Sequence, residues 1–240
     1  MPSKIDTYDF QEGRVLAGKY EVAAKLGKGW EGEVYRVTEL ETGIQRAAKF
    51  FYPERNVKNR ALRKYAQKLH RLQHVPILMQ YVTPEKIRFR GEPISFLVSE
   101  YYEGILLTDM LKSRRGKRLD PFQAGHFLYA LAAGVEILHD SREYHGDIHS
   151  DNIIVQRHGL QFDLKLIDCH FRPGSATMNI LADVIDLVNL FHEIVGGRKH
   201  YASQPPVVKE ICCGLKHSLI EKKFRNAGQL RRFLERLDWS

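Results

Sequence analysis

The spacing of hydrophobic and polar positions changes once along the chain. In the first hundred residues, segments such as "KYEVAAKLGKG" and "GEVYRVTELETGIQRAAKFF" alternate with a period of two, with Thr42 and Gly43 as turn residues. This pattern predicts antiparallel strands. Apolar residues recur at helical spacing in residues 61–72, so one helix interrupts the strands. "KIRFRGEPISFLVSEYY" then predicts a hairpin around Gly91 and Pro93.

The second half of the chain has mainly a helical period. Asp120 and Pro121 form an N-cap followed by a first-turn proline, and apolar residues continue at helical spacing behind them. "NIIVQRHGLQFDLKLID" predicts a hairpin that turns at Gly159. Helical patterns follow in "ILADVIDLVNLFHEIVGG" and in two helices over roughly residues 205–238. The combined pattern predicts an α+β protein with a β-rich half and an α-rich half.

Composition limits the class of protein and of partner. The chain has 240 residues, and its 43% apolar content is enough for a hydrophobic core. No run of eighteen apolar residues occurs, so we expect no membrane span. Three cysteines cannot form a disulfide framework, which predicts a reducing cytoplasm. The net charge of +8 favours anionic partners, namely phosphates, nucleic acid or acidic proteins.

Two motifs in the β-rich half predict a phosphate site. "LGKGWEGEV" contains Gly27, Gly29 and Gly32, and glycines let backbone N–H groups approach phosphate oxygens. A strand precedes this motif and another follows it, which excludes a dinucleotide fold because that fold needs a helix next. Lys49 lies within the apolar run of the following strand. Burial of its ammonium is costly unless an anion meets it.

The stretch "HGDIHSDNIIV" is dense in polar groups and precedes a predicted strand. Asp147 can orient a hydroxyl group or accept its proton. Asn152, together with Asp168 of "LKLIDCH", offers hard oxygen ligands. Such ligands suit a magnesium ion that bridges phosphate groups. These residues therefore predict phosphoryl transfer.

The order of these motifs resembles the protein kinase superfamily over residues 15–238. "GKGWEGEV" is similar to the glycine-rich loop, "AAK" to the lysine strand and "FLVSEYYEG" to the hinge. "HGDIHSDN" is similar to the catalytic loop, "IDCH" to the metal-binding "DFG", and Asp183 to the aspartate that braces the catalytic loop. The resemblance implies a bilobal α+β fold in one domain, residues 1–240. Residues 15–103 would form the N-lobe and hinge, and residues 104–240 the C-lobe.

The resemblance also implies ATP and Mg²⁺ as cofactors and a role for each matching residue. Asp147 would be the catalytic aspartate, and His149 would stand where serine/threonine kinases have a lysine. Lys49 would bind the α- and β-phosphates, while Asn152 and Asp168 would hold magnesium. The implied nucleotide-binding residues are Leu26, Gly27, Gly29, Gly32, Val34, Ala47, Lys49, Glu100, Tyr102 and Ile154.

One departure from the family concerns the partner of the lysine. The helix position that usually provides a glutamate holds Tyr65, and no acidic residue occurs between Arg55 and Pro84. The helix is strongly basic instead, which is typical of a solvated face. Another group therefore has to orient Lys49, and the candidates are Asp168 and ATP itself.

Two further departures concern the catalytic loop and the segment after it. Gly146 replaces the family's arginine, and His149 makes the loop similar to the "HGDxH" loops of aminoglycoside-phosphotransferase-like enzymes. "DCH" replaces "DFG", and fourteen residues separate Asp168 from Asp183. This minimal activation segment is similar to those of compact Rio-type and Bud-type atypical kinases.

Three functions are compatible with these features. The leading hypothesis is an ATP-dependent phosphotransferase that moves the γ-phosphate to a Ser/Thr hydroxyl of a protein, with acidic proteins among the substrates. A small-molecule kinase is the second, because of Gly146, His149 and the short segment. A nucleotide-binding pseudokinase scaffold is the third, because of the missing glutamate and "DCH". A nucleic-acid partner has weaker support, from the basic residues 112–118, which predict a solvated loop between helices.

Overall fold

The computed structural model describes residues 5–159 and 161–238. The outer limits of the predicted domain, residues 1 and 240, lie outside the described residues. The chain forms two compact units, which are described separately. The first runs to His74 and continues from Met79 to Tyr102. The second contains Val75–Leu78 and the chain from Glu103 onwards. A single domain with lobes at residues 15–103 and 104–240 stays a prediction.

The first unit is an antiparallel sheet with one α-helix. Its elements are β1 (Val15–Leu16), β2 (Tyr20–Lys28), β3 (Gly32–Glu39), β4 (Gln45–Phe51), α1 (Arg60–Arg71), β5 (Tyr81–Phe89) and β6 (Glu92–Glu100). The strands lie in the order β1-β2-β3-β4-β6-β5. Arg90 and Gly91 join β5 to β6 with φ angles of 50° and 83°, as a two-residue hairpin turn requires. The predicted hairpin at Gly91 is therefore confirmed.

Helix α1 is amphipathic, as the sequence predicted. Its apolar residues Leu62, Tyr65 and Leu69 are buried, and a basic face is exposed. The exposed basic residues of the helix are Arg60, Arg63, Lys64 and Arg71. The sequence predicts a solvated basic face, but Lys68 is buried and only 1% exposed.

An aromatic cluster fills the core of the first unit. Tyr8 and Phe10 belong to the segment before β1, and both are buried. The ring centroids of Phe10 and Phe50 lie 4.9 Å apart, and those of Phe50 and Phe96 are stacked at 4.3 Å. Packing of aromatic pairs at such distances stabilises a core beyond area burial alone. The N-terminal segment is thus part of this core, which its polar composition did not indicate.

A buried carboxylate ties this segment to the sheet. Glu33 is fully buried and accepts hydrogen bonds from Thr7 Oγ1 at 2.9 Å, from the Asp9 N–H at 3.3 Å and from the Tyr35 hydroxyl. The ammonium of Lys25 lies 3.0 Å from Glu33 Oε2. Burial alone would raise the pKa of Glu33. The bonds from Tyr35, Lys25, Thr7 and the Asp9 N–H outweigh burial and lower this pKa to about 2.

The second unit is mainly helical. Its elements are β7 (Ile105–Leu106), α2 (Leu107–Ser113), α3 (Pro121–Asp140), β8 (Ile153–His158), β9 (Gln161–Leu166), α4 (Ala176–Ile194), α5 (Gly197–Tyr201), α6 (Pro206–Cys212), α7 (His217–Lys223) and α8 (Ala227–Leu234). The three strands form an antiparallel sheet in the order β7-β8-β9. No helix of the described residues is long and apolar enough to cross a bilayer.

Local signals of the second unit are largely confirmed. The Asp120 side chain accepts the Gln123 N–H at 3.0 Å and caps α3, with Pro121 in the first turn. The β8–β9 hairpin turns at Gly159, as predicted. The prediction of two helices over residues 205–238 is wrong, because the described part of this stretch contains the three short helices α6, α7 and α8.

The buried carboxylate predicts a pH-dependent stability. Because folding lowers the Glu33 pKa from 4.5 to about 2, its ionised form stabilises the folded state above pH 4.5. That contribution is lost as the pH falls towards 2. Replacement Glu33→Gln should lower the free energy of unfolding by about 3 kcal/mol at pH 7. Urea unfolding at several pH values should show the gap to wild type narrowing below pH 4.5.

The exposed Glu12 provides a matched control. Glu12→Gln should leave the free energy of unfolding within about 0.5 kcal/mol of wild type. A Glu33→Gln protein as stable as wild type at pH 7, or a gap that does not narrow in acid, would contradict this account of the N-terminal segment.

Candidate active site

Lys49 lies in a nearly closed environment within the first unit. It sits on β4 opposite Val34 of β3 and is 8% exposed. Its Nζ lies 3.0 Å from Glu31 Oε2. The same nitrogen lies 5.1 Å from the centroid of the Tyr65 ring and 5.3 Å from that of Phe51. A carboxylate and two aromatic faces thus surround this ammonium group.

The three glycines from the end of β2 to the start of β3 differ in their surroundings. A Cβ added at Gly27 or Gly29 would meet no atom within 4 Å, so the space beside their backbone is open. A Cβ at Gly32 would lie 1.8 Å from the Phe50 carbonyl oxygen. Gly32 is therefore required by the close pairing of β3 with β4. Gly29 N–H donates to the Gly32 carbonyl at 2.8 Å and closes the loop.

The other predicted nucleotide-binding residues of the first unit lie on the same sheet or at its end. Ala47 is buried on β4, whereas Leu26 of β2 is exposed. The Glu100 carboxylate accepts the Gln80 N–H at 2.9 Å, and Tyr102 is half-buried at the end of the unit. Ile154 belongs to the second unit, on β8 opposite Leu106 of β7.

Three polar side chains of the second unit form one cluster. Asn152 Nδ2 donates to the Asp147 carbonyl and to Asp147 Oδ2, both at 3.0 Å. His149 Nε2 lies 3.4 Å from Asp147 Oδ2 and 2.9 Å from Asn152 Nδ2. The predicted catalytic residues of this loop therefore come together. The side chains of Asp147 and His149 are 45% and 43% exposed, so both can meet a ligand.

Asp168 is held beside this loop by its chain neighbours. The Ile167 N–H donates to the Asn152 carbonyl at 3.0 Å, and His145 Nε2 donates to the Ile167 carbonyl at 3.0 Å. The His170 N–H donates to the His145 carbonyl at 2.9 Å. Asp168 itself has a φ of 56°, a left-handed conformation that is rare outside glycine. Such strain concentrates at functional sites, where the surrounding structure holds it.

A buried carboxylate braces the loop from α4. Asp183 is fully buried and accepts the His145 N–H at 2.6 Å and the Gly146 N–H at 2.9 Å. His139 Nδ1 accepts the Ala227 N–H at 3.1 Å, so its proton lies on Nε2, which faces Asp183 Oδ2 at 3.4 Å. Burial would raise the pKa of Asp183, but His139, His145 and the backbone bond outweigh burial and lower it.

The donor set fits a magnesium ion that binds together with phosphate oxygens. The contacts of Asn152 Nδ2 fix the amide so that Oδ1 remains as the side-chain oxygen for a cation. Asp168 adds a carboxylate. The described residues contain no group of three or more His, Cys, Asp or Glu that could hold a metal. Protein magnesium sites commonly use one or two carboxylates and complete the shell with phosphate and water.

Comparison with known proteins shows the family of this chain. The family model of the protein kinase domain matches residues 20–176. The chain belongs to the protein kinase family. It is 30% identical over 161 residues to a probable serine/threonine-protein kinase of Streptomyces coelicolor, covering 66% of this chain and 23% of that protein. It is 28% identical to the inhibitor of nuclear factor kappa-B kinase subunit alpha of Gallus gallus, covering 63% and 20%.

Solved structures support the same fold. The kinase domain of PknI from Mycobacterium tuberculosis matches with a TM-score of 0.63 at 20% identity, covering 95% of this chain and 97% of that one. At this identity the likeness shows the kinase fold alone. The matched region spans about a fifth to a quarter of the length of the first two curated relatives.

The sequence analysis did not predict one contact of Lys49. The structure places the Glu31 carboxylate against that ammonium. Orientation of Lys49 by Asp168 or by ATP stays a prediction. A signal was present in the sequence, because Glu31 lies inside the glycine-rich loop and α1 has no acid. Tyr65, the aromatic residue at the usual glutamate position, has its ring centroid 5.1 Å from Lys49 Nζ.

Steric crowding explains why position 146 holds a glycine. Gly146 has a φ of 86°, and a Cβ there would lie 2.4 Å from the His170 carbonyl oxygen. The bond between the His170 N–H and the His145 carbonyl fixes that approach. The family's arginine would not fit beside His170 in this arrangement.

The short activation segment is fixed through Arg172. The Arg172 carbonyl accepts the Tyr144 hydroxyl at 3.0 Å and Asn179 Nδ2 at 3.4 Å, and its guanidinium lies 2.9 Å from Asp186 Oδ2. Ser175 then caps α4 by accepting the Met178 N–H. These contacts hold the segment close to the catalytic loop of the same unit.

The close approach at Gly146 can be tested by adding one methyl group. Gly146→Ala should lower the free energy of unfolding by about 3 kcal/mol, since it adds left-handed strain and a clash with a backbone carbonyl. Gly159→Ala provides the control, because Gly159 also has a positive φ but no atom within 4 Å of an added Cβ. Gly159→Ala should lower the free energy of unfolding, measured with urea, by about 1 kcal/mol. Equal losses in both variants would contradict the steric account.

Proposed function

We propose that this protein is an ATP-dependent kinase that transfers the γ-phosphate to a serine or threonine hydroxyl of a protein. The cluster of Asp147, His149 and Asn152, braced by Asp183, is the observation that carries this proposal. We also propose one kinase domain, with residues 15–103 as N-lobe and hinge and residues 104–240 as C-lobe. The three cysteines are free, which supports the cytoplasmic location that we propose.

Asp147 is the proposed catalytic residue. Asn152 fixes one of its carboxylate oxygens, and the half-exposed carboxylate remains accessible to an acceptor hydroxyl. As the oxygen–phosphorus bond to the acceptor forms, the bond from the γ-phosphorus to ADP breaks and Asp147 accepts the hydroxyl proton. His149 lies beside this carboxylate, where its ring can donate to a phosphate oxygen.

Positioning and charge neutralisation are the other parts of the mechanism. Lys49 would bind the α- and β-phosphates beside Gly27 and Gly29, where no side chain fills the space next to the backbone. Asn152 Oδ1 and Asp168 would hold Mg²⁺, which neutralises charge on the phosphates when bound. The proposed adenine contacts are Leu26, Val34, Ala47, Ile154 and the backbone of Glu100 and Tyr102.

A protein acceptor is supported by the relatives and by charge. The Streptomyces coelicolor relative carries the name of a serine/threonine-protein kinase. The exposed face of α1 is basic, which favours acidic protein substrates among the possible acceptors. A nucleic-acid partner has less support, because the basic residues 112–118 run from the end of α2 into the short connection to α3.

A small-molecule acceptor is the second candidate. Seven residues connect Asp168 to α4, and Arg172 fixes this connection to Tyr144 and Asp186. So short a segment offers little surface for docking a peptide. Phosphorylation of a metabolite or an aminoglycoside without labelling of any protein would favour this candidate.

A pseudokinase scaffold is the third candidate. It rested on the missing helix glutamate and on "DCH" in place of "DFG". The contact between Glu31 and Lys49 weakens the argument from the missing glutamate, since the lysine has an acidic partner. The signature of a scaffold would be thermal stabilisation by ATP without turnover.

Transfer of radiolabel from ATP tests the proposed function. Asp147→Ala should lower the rate at least about 100-fold, since it removes the group that accepts the hydroxyl proton. The exposed carboxylate of Asp163 on β9 gives the control, and Asp163→Ala should retain the wild-type rate. If neither wild type nor Asp147→Ala transferred label to any member of a broad panel of protein and small-molecule acceptors, the enzyme proposal would be overturned.

A further inference from the structure

Lys49 needs an anionic partner that α1 does not supply. Its ammonium is largely removed from water, and a buried cation is costly without a nearby negative charge. The helix contributes the Tyr65 ring at 5.1 Å, which attracts a cation but carries no charge. No acidic residue occurs between Arg55 and Pro84, so no side chain of α1 can take the glutamate role.

Glu31 provides a carboxylate at this position, and its backbone is fixed. The Glu31 carbonyl accepts the Tyr52 N–H at 2.9 Å, which ties the loop to the end of β4. The next residue, Gly32, pairs with Phe51 of β4. The neighbouring Trp30 ring lies 3.8 Å from the Arg55 guanidinium. These contacts hold the loop on both sides of Glu31, with its carboxylate 3.0 Å from Lys49 Nζ.

We propose that Glu31 replaces the missing helix glutamate as the positioning residue that orients Lys49 for phosphate binding. This inference rests on the proposed kinase function. It assigns the acid to the glycine-rich loop. The lysine and its acid then belong to strands and a loop of one sheet, since Val34 lies opposite Lys49 and Glu31 precedes the same strand.

This arrangement changes what controls the lysine. In kinases with a helix glutamate, the position of that helix decides whether the ion pair forms. Here the pair forms within the sheet, so its formation does not depend on a displacement of α1. The acid that orients Lys49 therefore lies on the same glycine-rich loop that the resemblance assigns to phosphate binding.

The experiment compares five variants of the full chain, one of them a control, with wild type. Glu31→Gln removes the charge and keeps the shape, and Glu31→Asp keeps the charge. Tyr65→Glu places an acid on α1, where the present ring faces Lys49. The double variant Glu31→Gln/Tyr65→Glu moves the acid from the loop to the helix. Glu41→Gln is the control, because Glu41 is an exposed residue of the same unit.

The readouts are the affinity for MgATP by calorimetry, and kcat and KM for ATP from ADP release. This release counts transfer of the γ-phosphate to any acceptor, water included, so the acceptor need not be identified. Glu31→Gln should lower kcat roughly 10- to 100-fold, the range of one hydrogen bond between charged groups. Its MgATP affinity should change much less, because the lysine is misaligned but still present. Glu31→Asp and the double variant should recover most of kcat, while Glu41→Gln stays within about twofold of wild type.

Two results would overturn the inference. One is a Glu31→Gln protein with the kcat of Glu41→Gln. The other is a Glu31→Gln protein whose lost kcat is recovered neither by Glu31→Asp nor by the acid at position 65, which would indicate a purely structural loop residue. Failure of the proposed kinase function can be distinguished from failure of this inference. In the first case the wild-type chain itself would show no MgATP affinity or no turnover.

Discussion

A carboxylate that is removed from water has to be surrounded by hydrogen-bond donors, and two such carboxylates organise this protein. Glu33 collects donors from the N-terminal segment and from neighbouring strands, and so fixes that segment on the β-rich unit. Asp183 collects the backbone N–H groups of His145 and Gly146, and so fixes the start of the catalytic loop on α4. In each unit, one buried charge determines where a segment without regular structure can lie.

The sequence predicted the features that depend on residues close together along the chain. Asp147 and Asn152 belong to one loop, and both hydrogen bonds between them, at 3.0 Å, lie within that loop. The cap at Asp120 and the turn at Gly91 likewise depend on adjacent residues. The order of such local motifs was sufficient to indicate the family, because each motif has its own spacing.

The features that the sequence did not reveal are contacts between distant segments. Thr7 and Glu33 are 26 positions apart, and Lys49 and Glu31 are 18 apart. Nothing in the polar N-terminal stretch indicates that Tyr8 and Phe10 enter an aromatic core. The three short helices after residue 205 were also missed, since a helical period alone does not mark the breaks between them.

The departures from the kinase pattern are paired with changes elsewhere in the chain. Tyr65 replaces an acid, and an acid appears at Glu31, within reach of the same lysine. Gly146 replaces an arginine, and the His170 carbonyl lies where any side chain at that position would have to pass. The Glu31 carboxylate gives the buried Lys49 ammonium the nearby negative charge that its removal from water requires. The physical requirement of that ammonium group, rather than the identity of the residue at one helix position, is what this structure retains.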